Sequence, residues 1–294
     1  MLKELGIGLI LISISFTSCQ LDGVKHNNEN GEASTSDTVA TKSIQIGDSV
    51  SEENYSQEIA EDTVLLESGI KITYFKHGKG PLLKKGDMVK IDYRLRLEDS
   101  TVYDGNHLIK KPYVPFMVGW NQQTPGWDIA LKKLRIGDDV DIFLPAKYAR
   151  GEKGIKGVVP PNSNNILSIR ILDYLQPTKE VDDIVIWKYD EWKKPGDSIG
   201  FKDEVTIDYW VSSESSPRYD NSYKRGKPFE LVMGDGNIVP GLYKALYFAR
   251  AGDKLFIKIP AKEAYGKKGL TDLVKPNENL LYDIRIGKVV KREE

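Results

Sequence analysis

The sequence predicts an α+β protein that consists of two tandem copies of one domain, each an antiparallel five- to six-stranded sheet wrapped around one short helix. Three observations lead to this fold class. A long stretch of the chain is repeated, most of each copy places apolar residues at every second position, and each copy holds one segment with helical spacing. Alternation is typical of strands with one buried face. Strands in series with an isolated helix favour an α+β architecture.

The repeat is visible in segments that align along the chain. The segment VKIDYRLRLEDSTVYD, which begins at Val89, matches VTIDYWVSSESSPRYD, which begins at Val205. Further pairs are IGDDVDIFLPAK with AGDKLFIKIPAK and PNSNNILSIRI with PNENLLYDIRI, and the alignment places one extra residue of the first copy near PYVPFMVG. Because the matches keep their order, we predict one domain at residues 62–176 and a second at 177–294.

The spacing of apolar residues predicts the strands and the helix of each copy. From Val89 to Leu95 apolar residues alternate with charged ones, as a strand with one buried face requires. The segment TPGWDIALKKLRIG instead places its apolar residues on one helical face, with Pro125 at the opening position and Gly137 as a stop. The second copy repeats this pattern from Pro240 to Gly252.

Composition excludes several classes of function. The 294 residues include 42 Lys and Arg against 43 Asp and Glu, so no net field attracts nucleic acid. The single cysteine excludes an internal disulfide, and the 3 histidines form no ligand-spaced cluster. We therefore expect no nucleic-acid partner, no metal and no cofactor, and we expect the protein to be a monomer.

Residues 1–19 are predicted to be a lipoprotein signal peptide. Lys3 precedes the run LGIGLILISISF, which is too short to span a membrane and suits the apolar region of a signal. The run leads into FTSC, and small residues before the lone Cys19 resemble the lipobox of bacterial lipoproteins, in which that cysteine is lipidated. An ordinary secretory signal with an incidental cysteine is the alternative.

A lipidated Cys19 would anchor the protein in the bacterial cell envelope, facing the periplasm or the outer-membrane surface. Residues 20–61 are rich in Asn, Glu, Ser, Thr and Gly and lack a lasting apolar period, so we predict a disordered tether that would hold the folded part away from the bilayer.

A series of aromatic, acidic and apolar residues follows a fixed order along the second copy. The series comprises Tyr209, Tyr219, Asp220, Arg225, Phe229, Ile238, Val239, Leu242, Tyr265, Val274 and Tyr282. This order resembles the pocket residues of the FKBP-type (tacrolimus-binding) peptidyl-prolyl isomerases, and the resemblance covers both copies almost end to end. Leu242 departs from the tryptophan usual at the pocket floor, and Lys275 replaces the first of two prolines.

The first copy supplies fewer of these residues. Its counterparts are Tyr93, Tyr103, Asp104, Tyr113, Trp127, Val158, Val159 and Leu167. Gln123 and Thr124 replace an apolar pair, and Arg150 stands where the pocket tyrosine belongs. Because these departures fall on the ligand-facing set, the resemblance implies catalysis mainly in the second copy.

The resemblance also implies roles for individual residues. Catalytic roles are implied for Tyr209, Tyr219, Asp220, Phe229, Val239, Leu242, Tyr265 and Tyr282, and substrate binding for the remaining members of both series. The Tyr265 hydroxyl and the Val239 N–H would donate to substrate carbonyls, while Asp220 would face the prolyl amide and pair with Arg225. No bond is broken in this reaction, which only has to cross an amide rotation barrier of about 18 to 20 kcal/mol.

Other interpretations fit the same residues. Alternating aromatic residues are usually core, and an Asp and an Arg five positions apart are usually a surface pair. The leading hypothesis is an envelope-anchored prolyl isomerase that acts on Pro-containing unfolded or envelope proteins, with the first copy holding unfolded or partner chains. The alternatives are a non-catalytic chaperone or adaptor that binds such segments, and a structural component of an envelope assembly.

Overall fold

A computed structural model describes residues 59–190 and 196–292 of the chain. The predicted signal peptide, Cys19 and nearly all of the predicted tether lie outside the described residues. Among the residues described, no helix combines the length and the apolar character needed to cross a membrane. Both repeated copies belong to one compact unit, Ala60–Glu294.

The first copy folds into a seven-stranded antiparallel sheet with one α-helix. Its elements are β1 (Asp62–Leu65), β2 (Lys71–Lys76), β3 (Met88–Leu97), β4 (Val102–Gly105), β5 (Val114–Met117), α1 (Pro125–Leu131), β6 (Asp139–Leu144) and β7 (Asn165–Tyr174). The strands lie in the order β1-β2-β6-β7-β3-β4, and β5 pairs with β3. The alternation is reproduced in burial, since Ile91, Tyr93 and Leu95 of β3 are each at most 2% exposed.

The second copy repeats this topology strand for strand. Its elements are β8 (Lys179–Val181), β9 (Ile184–Asp190), β10 (Glu204–Ser213), β11 (Asp220–Asn221), β12 (Phe229–Val232), α2 (Pro240–Leu246), β13 (Lys254–Ile259) and β14 (Leu280–Val290). The order is β11-β10-β14-β13-β9-β8, with β12 paired to β10. The predicted α+β class is therefore confirmed. Each sheet has seven strands because the chain before β2 and before β9 folds back as an additional short edge strand.

Both helices end before the glycine that the sequence predicts as their stop. After α1, the Leu134 N–H donates to the Leu131 carbonyl at 3.0 Å, so the chain continues in tighter turns rather than α-helix. Arg135 then forms a bridge with Leu82, which draws the chain out of the helix. Gly137, with φ of 94°, makes the turn into β6.

Each helix packs so closely on its sheet that its second residue must be glycine. A Cβ atom on Gly126 would lie 2.7 Å from Leu144 Cδ2, and one on Gly241 would lie 2.4 Å from Ile259 Cγ2. The residues that follow, Trp127 and Leu242, are thereby pressed against the sheet and are 1% and 2% exposed. This contact fixes the base of the pocket in each copy.

An apolar junction joins the two copies. It consists of Met88, Met117 and Trp120 from the first copy and Trp187, Phe256 and Leu281 from the second. The Trp187 indole N–H donates to the Leu175 carbonyl at 2.9 Å, and Arg218 Nη2 donates to the Gln122 carbonyl at 2.5 Å. The face of the second sheet that carries Phe256 is therefore covered by the first copy, so experiments on this protein require both copies together.

Asp283 places a carboxyl group on the junction side of β14. It alternates with Tyr282 along the strand and accepts a hydrogen bond from the Tyr189 hydroxyl at 2.9 Å. Part of the Asp283 residue contacts solvent, but its carboxyl group is buried, and this burial raises the pKa of Asp283 to about 6. The hydrogen bond from Tyr189 and the charges of Arg218 and Lys254 act in the opposite direction. Ionisation of Asp283 at neutral pH therefore opposes folding.

We expect Asp283→Asn to stabilise the protein at pH 7 and to leave its stability nearly unchanged at pH 4. The folded pKa lies above the unfolded value, so the favourable contribution is fully present below about pH 4 and is lost as the pH rises to about 6. The variant should avoid this loss, which is on the order of 1 to 3 kcal/mol. Urea unfolding at both pH values measures the difference, with exposed Glu230→Gln as the control; equal destabilisation at both values would contradict the argument.

Candidate active site

The second copy holds an aromatic pocket between its sheet and α2. Tyr209 of β10 and Tyr282 of β14 have ring centroids 6.0 Å apart, and Phe229 at the start of β12 meets Tyr209 edge to face at 6.1 Å. Leu242 forms the base, and Val239 precedes the helix at the rim. The same apolar cluster includes Ile238, Val274, Tyr219 and Tyr265. The structure thus brings the apolar and aromatic members of the second series together.

A charged triad stands at the edge of this pocket. Asp220 accepts hydrogen bonds from the Tyr209 hydroxyl at 2.5 Å and from Arg225 Nη1 at 2.7 Å, while Arg225 Nη2 donates to the Tyr209 hydroxyl oxygen at 2.8 Å. Burial acts to raise the pKa of Asp220, but the bonds from Tyr209 and Arg225 outweigh it and lower that pKa. Burial and the bond to Asp220 raise the pKa of Tyr209 to about 12. Asp220 is therefore an ionised carboxylate at neutral pH, held in one orientation.

The Tyr219 hydroxyl differs from its counterpart in the first copy. Burial raises the pKa of Tyr219, as do the Tyr282 and Tyr265 hydroxyls and a side-chain contact with Tyr265, and its buried oxygen forms no well-aligned hydrogen bond with a described group. In the first copy the Tyr103 hydroxyl donates to Asn165 Oδ1 at 2.8 Å. Leu280 occupies the place of Asn165 in the second copy, so Tyr219 has lost this partner.

The first copy has a more tightly closed aromatic cluster. Trp127 meets Tyr93 edge to face at 5.2 Å and stacks on Phe116 at 5.4 Å. Trp127, Val159 and Leu167 are between 0% and 2% exposed. The tryptophan that the second copy lacks therefore fills the base of this pocket.

Arg150 lies beside this cluster and alters its electrostatics. Its Nη2 donates to Gln123 Oε1 at 3.2 Å, while its Nε is buried and has no hydrogen-bond partner among the described residues. Burial raises the pKa of Tyr103 to about 12 even though the Arg150 charge and hydrogen bond act to lower it. Asp104 accepts from the Tyr93 hydroxyl at 3.1 Å, and no arginine of the described residues donates to it as Arg225 does to Asp220. Burial raises the pKa of Asp104, whereas the pKa of Asp220 is lowered.

The prediction that Tyr113 belongs to the pocket is wrong. Strand pairing places Val114 opposite Ile91 in the first copy and Phe229 opposite Ile207 in the second. Val114 is therefore the counterpart of Phe229, and the extra residue of the first copy lies before Val114. The centre of the Tyr113 ring instead lies 5.3 Å from the Nζ atom of Lys90. Lys90 alternates along β3 with the inward-facing residues, so it belongs to the opposite face of the strand. Val158 also projects outward, with 46% exposure.

Three residues that shape the pockets were not singled out from the sequence. Asn165 and Leu280 differ at one position of the aligned segments PNSNNILSIRI and PNENLLYDIRI, and this difference was the available signal. Arg218 contacts the first copy only through the junction, which no local pattern reveals. Residues 59–190 and 196–292 contain no group of three or more His, Cys, Asp or Glu side chains placed to hold a metal ion.

The fold and the pockets define a tandem protein of two β-sheet domains, each with an apolar cleft above a short helix. Residues 80–172 and 196–287, more than half of the chain, match the sequence pattern of the FKBP-type peptidyl-prolyl cis-trans isomerases. The chain belongs to this family.

The chain is similar to several known proteins. Peptidyl-prolyl cis-trans isomerase FKBP9 of Mus musculus is 27% identical over 209 residues, which cover 70% of this chain and 35% of the relative. FK506-binding protein 1 of Kluyveromyces lactis is 36% identical over 98 residues, or 32% of this chain and 86% of the relative. The crystal structure of the three FKBP domains of wheat FKBP73 shares 24% identity, with a TM-score of 0.39, and the match covers 77% of this chain and 97% of that one. The chain spans about a third of the length of relatives such as the mouse protein.

Removal of the two equivalent hydroxyls should have opposite effects on stability. We expect Tyr219→Phe to raise the free energy of unfolding by about 1 kcal/mol, because it removes a buried hydroxyl without a partner. Tyr103→Phe should lower it by about 1 to 3 kcal/mol, because it leaves the buried Asn165 oxygen without its donor. Chemical denaturation of both variants measures the difference. Stabilisation by Tyr103→Phe would contradict the comparison.

Proposed function

We propose that this protein accelerates rotation about X-Pro amide bonds, and that turnover takes place mainly in the pocket of the second copy. The observation that carries the proposal is the joint placement of an aromatic, apolar pocket and an oriented Asp220–Arg225 pair at its edge. Family membership supports the reaction class. The proposed substrates are Pro-containing segments of unfolded or envelope proteins.

The pocket suits an amide that is being twisted. A planar amide is stabilised by charge-separated resonance, which the twisted form loses, so an apolar environment disfavours the planar form more. In the proposed mechanism Tyr209, Phe229 and Tyr282 take the prolyl ring and its amide out of water, above the Leu242 base. No nucleophile is required, and the gain comes from interactions that are stronger in the twisted state than in the planar ones.

Polar groups at the rim would hold the substrate in the twisted geometry. The Val239 N–H donates to no described group, because Val239 directly precedes the first turn of α2. The Tyr265 side chain packs against the apolar cluster that includes Tyr209 and Tyr282. The Val239 N–H and the Tyr265 hydroxyl are proposed to donate to carbonyls that flank the proline. The Asp220 carboxylate, kept ionised and oriented by Arg225, is proposed to face the carbon and nitrogen of the reacting amide.

The first copy is proposed to contribute little turnover. Arg150 replaces the hydroxyl donor, and no arginine of the described residues donates to Asp104 as Arg225 does to Asp220. Each difference removes one part of the arrangement proposed for the second copy.

The assignment can be tested by protease-coupled isomerisation of a Pro peptide with the full chain. We expect Tyr265→Phe to lower kcat/KM about three- to tenfold, as for loss of one hydrogen bond, and Asp220→Ala to lower it about tenfold or more. Tyr247→Phe, which removes an exposed hydroxyl at the end of α2, is the matched control. If Asp104→Ala lowers the rate as much as Asp220→Ala, the assignment to the second copy is wrong. If the wild type does not exceed the uncatalysed rate, the chaperone or adaptor function replaces the enzyme.

We also propose that Cys19 carries the lipid that anchors the protein in a bacterial envelope membrane, with support from the sequence before this cysteine. Metabolic labelling with radioactive palmitate in a bacterial host should mark the wild type and fail to mark Cys19→Ser. The variant should also leave the membrane fraction or keep its signal peptide. Labelling of both proteins would show that lipid is attached elsewhere. Labelling of neither protein would show that an ordinary signal is present.

A further inference from the structure

The guanidinium of Arg150 is a cation without an anionic partner in the first pocket. Arg150 contacts two neutral groups: its Nη2 donates to the Gln123 amide oxygen at 3.2 Å, and the guanidinium also meets the Tyr103 hydroxyl. It forms no ion pair within residues 59–190 and 196–292, and its buried Nε has no acceptor there. A buried donor of a charged group that lacks an acceptor is unfavourable unless a ligand supplies one.

The surroundings add to the positive charge. Arg218, which reaches across the junction to the Gln122 carbonyl, is close enough for its charge and that of Arg150 to disfavour each other. Burial chiefly lowers the pKa of Arg218 to about 10, with Arg150 acting in the same direction and Asp283 against it. Asp104 is the acidic neighbour of Arg150, but its carboxylate accepts from the Tyr93 hydroxyl and forms no ion pair with Arg150. The field at this position therefore favours an incoming anion.

We propose that the first copy is a carboxylate-binding site in which Arg150 receives the carboxylate of a peptide. The Gln123 side chain marks the position of the ligand, because its amide oxygen accepts from Nη2 as a carboxylate oxygen would. A carboxylate replaces this neutral contact with a shorter, charge-assisted one. When Gln123 swings aside, the second carboxylate oxygen reaches the unpartnered Nε, which completes the two-point contact that the planar guanidinium favours.

This assignment separates the chemistry of the two copies. At the aligned position the second copy has Tyr265, a neutral donor suited to an amide carbonyl, whereas the first has a permanent cation suited to an acidic group. The carboxylate can come from an Asp or Glu side chain or from a chain terminus, and the chemistry of recognition is the same. The inference does not depend on isomerase activity in the second copy.

Binding of Pro-free peptides to the full chain tests the proposal. The probes are three dansyl-labelled hexapeptides of otherwise equal sequence, one with a central Glu and an amidated end, one with Gln and an amidated end, and one with Gln and a free end. Fluorescence anisotropy should show the Glu or the free-end peptide, or both, bound about tenfold or more tightly than the neutral one. The pattern identifies the source of the carboxylate. Equal affinity of all three would overturn the proposal.

Variants separate the site from general surface charge. Arg150→Leu should bring the carboxylate peptides to the affinity of the neutral one, and Arg150→Lys should keep only part of the preference because the fork is lost. Arg135→Gln is the matched control, since this exposed arginine lies at the opposite end of β6.

Circular dichroism checks the fold of each variant, and Arg150→Lys serves as the decisive variant if Arg150→Leu does not fold. An unchanged preference in folded Arg150→Lys and Arg150→Leu, or an equal loss in Arg135→Gln, overturns the proposal. Protease-coupled turnover of a Pro peptide by the same proteins is a separate readout, so failure of the isomerase assignment is distinguishable from failure of this one.

Discussion

The contact between each short helix and its sheet is the constraint on which both pockets depend. A seven-residue helix is too short to be stable by itself and relies on packing. Gly126 and Gly241 allow that packing, because a side chain at either position would collide with a strand. The next residue is thereby fixed as the pocket floor, Trp127 in one copy and Leu242 in the other. The depth of the pocket is thus set by the residue that follows an obligatory glycine.

The electrostatic character of each pocket depends on the position of one arginine. In the second copy Arg225 lies on the β11 side and pairs with Asp220, which keeps the carboxylate ionised and oriented. In the first copy Arg150 comes from the loop after β6 and contacts a neutral amide, and burial raises the pKa of Asp104 although the Tyr93 bond and the Arg150 charge act to lower it. The two pockets therefore differ in whether their arginine is paired with a carboxylate.

Sequence reasoning predicts those parts of the structure that local patterns and the repeat determine. The two domains, the strands around Val89 to Leu95, the helix positions and the second pocket follow from alternation, from Pro and Gly signals and from residue order. Tyr113 was misplaced because alignment by residue identity favoured the aromatic, whereas strand pairing places Val114 opposite Ile91. The junction could not be predicted, because the outward face of a strand looks the same in sequence whether water or another domain covers it.

Asn165 and Leu280 occupy the same position of the two copies and give the adjacent tyrosine different surroundings. In the first copy Tyr103 has an acceptor within the protein, so its hydroxyl is fully engaged and holds the wall closed. In the second copy Leu280 supplies no acceptor, and the Tyr219 hydroxyl is buried beside the Tyr265 hydroxyl without a well-aligned hydrogen bond to a described group. An unsatisfied hydroxyl costs stability, so its presence next to the donor proposed for the substrate is consistent with a pocket whose polar groups are completed by a ligand. The first copy bonds its tyrosine internally and leaves the Arg150 Nε among the buried atoms that lack a partner in the described residues, so the two copies differ in which buried polar atoms lack one.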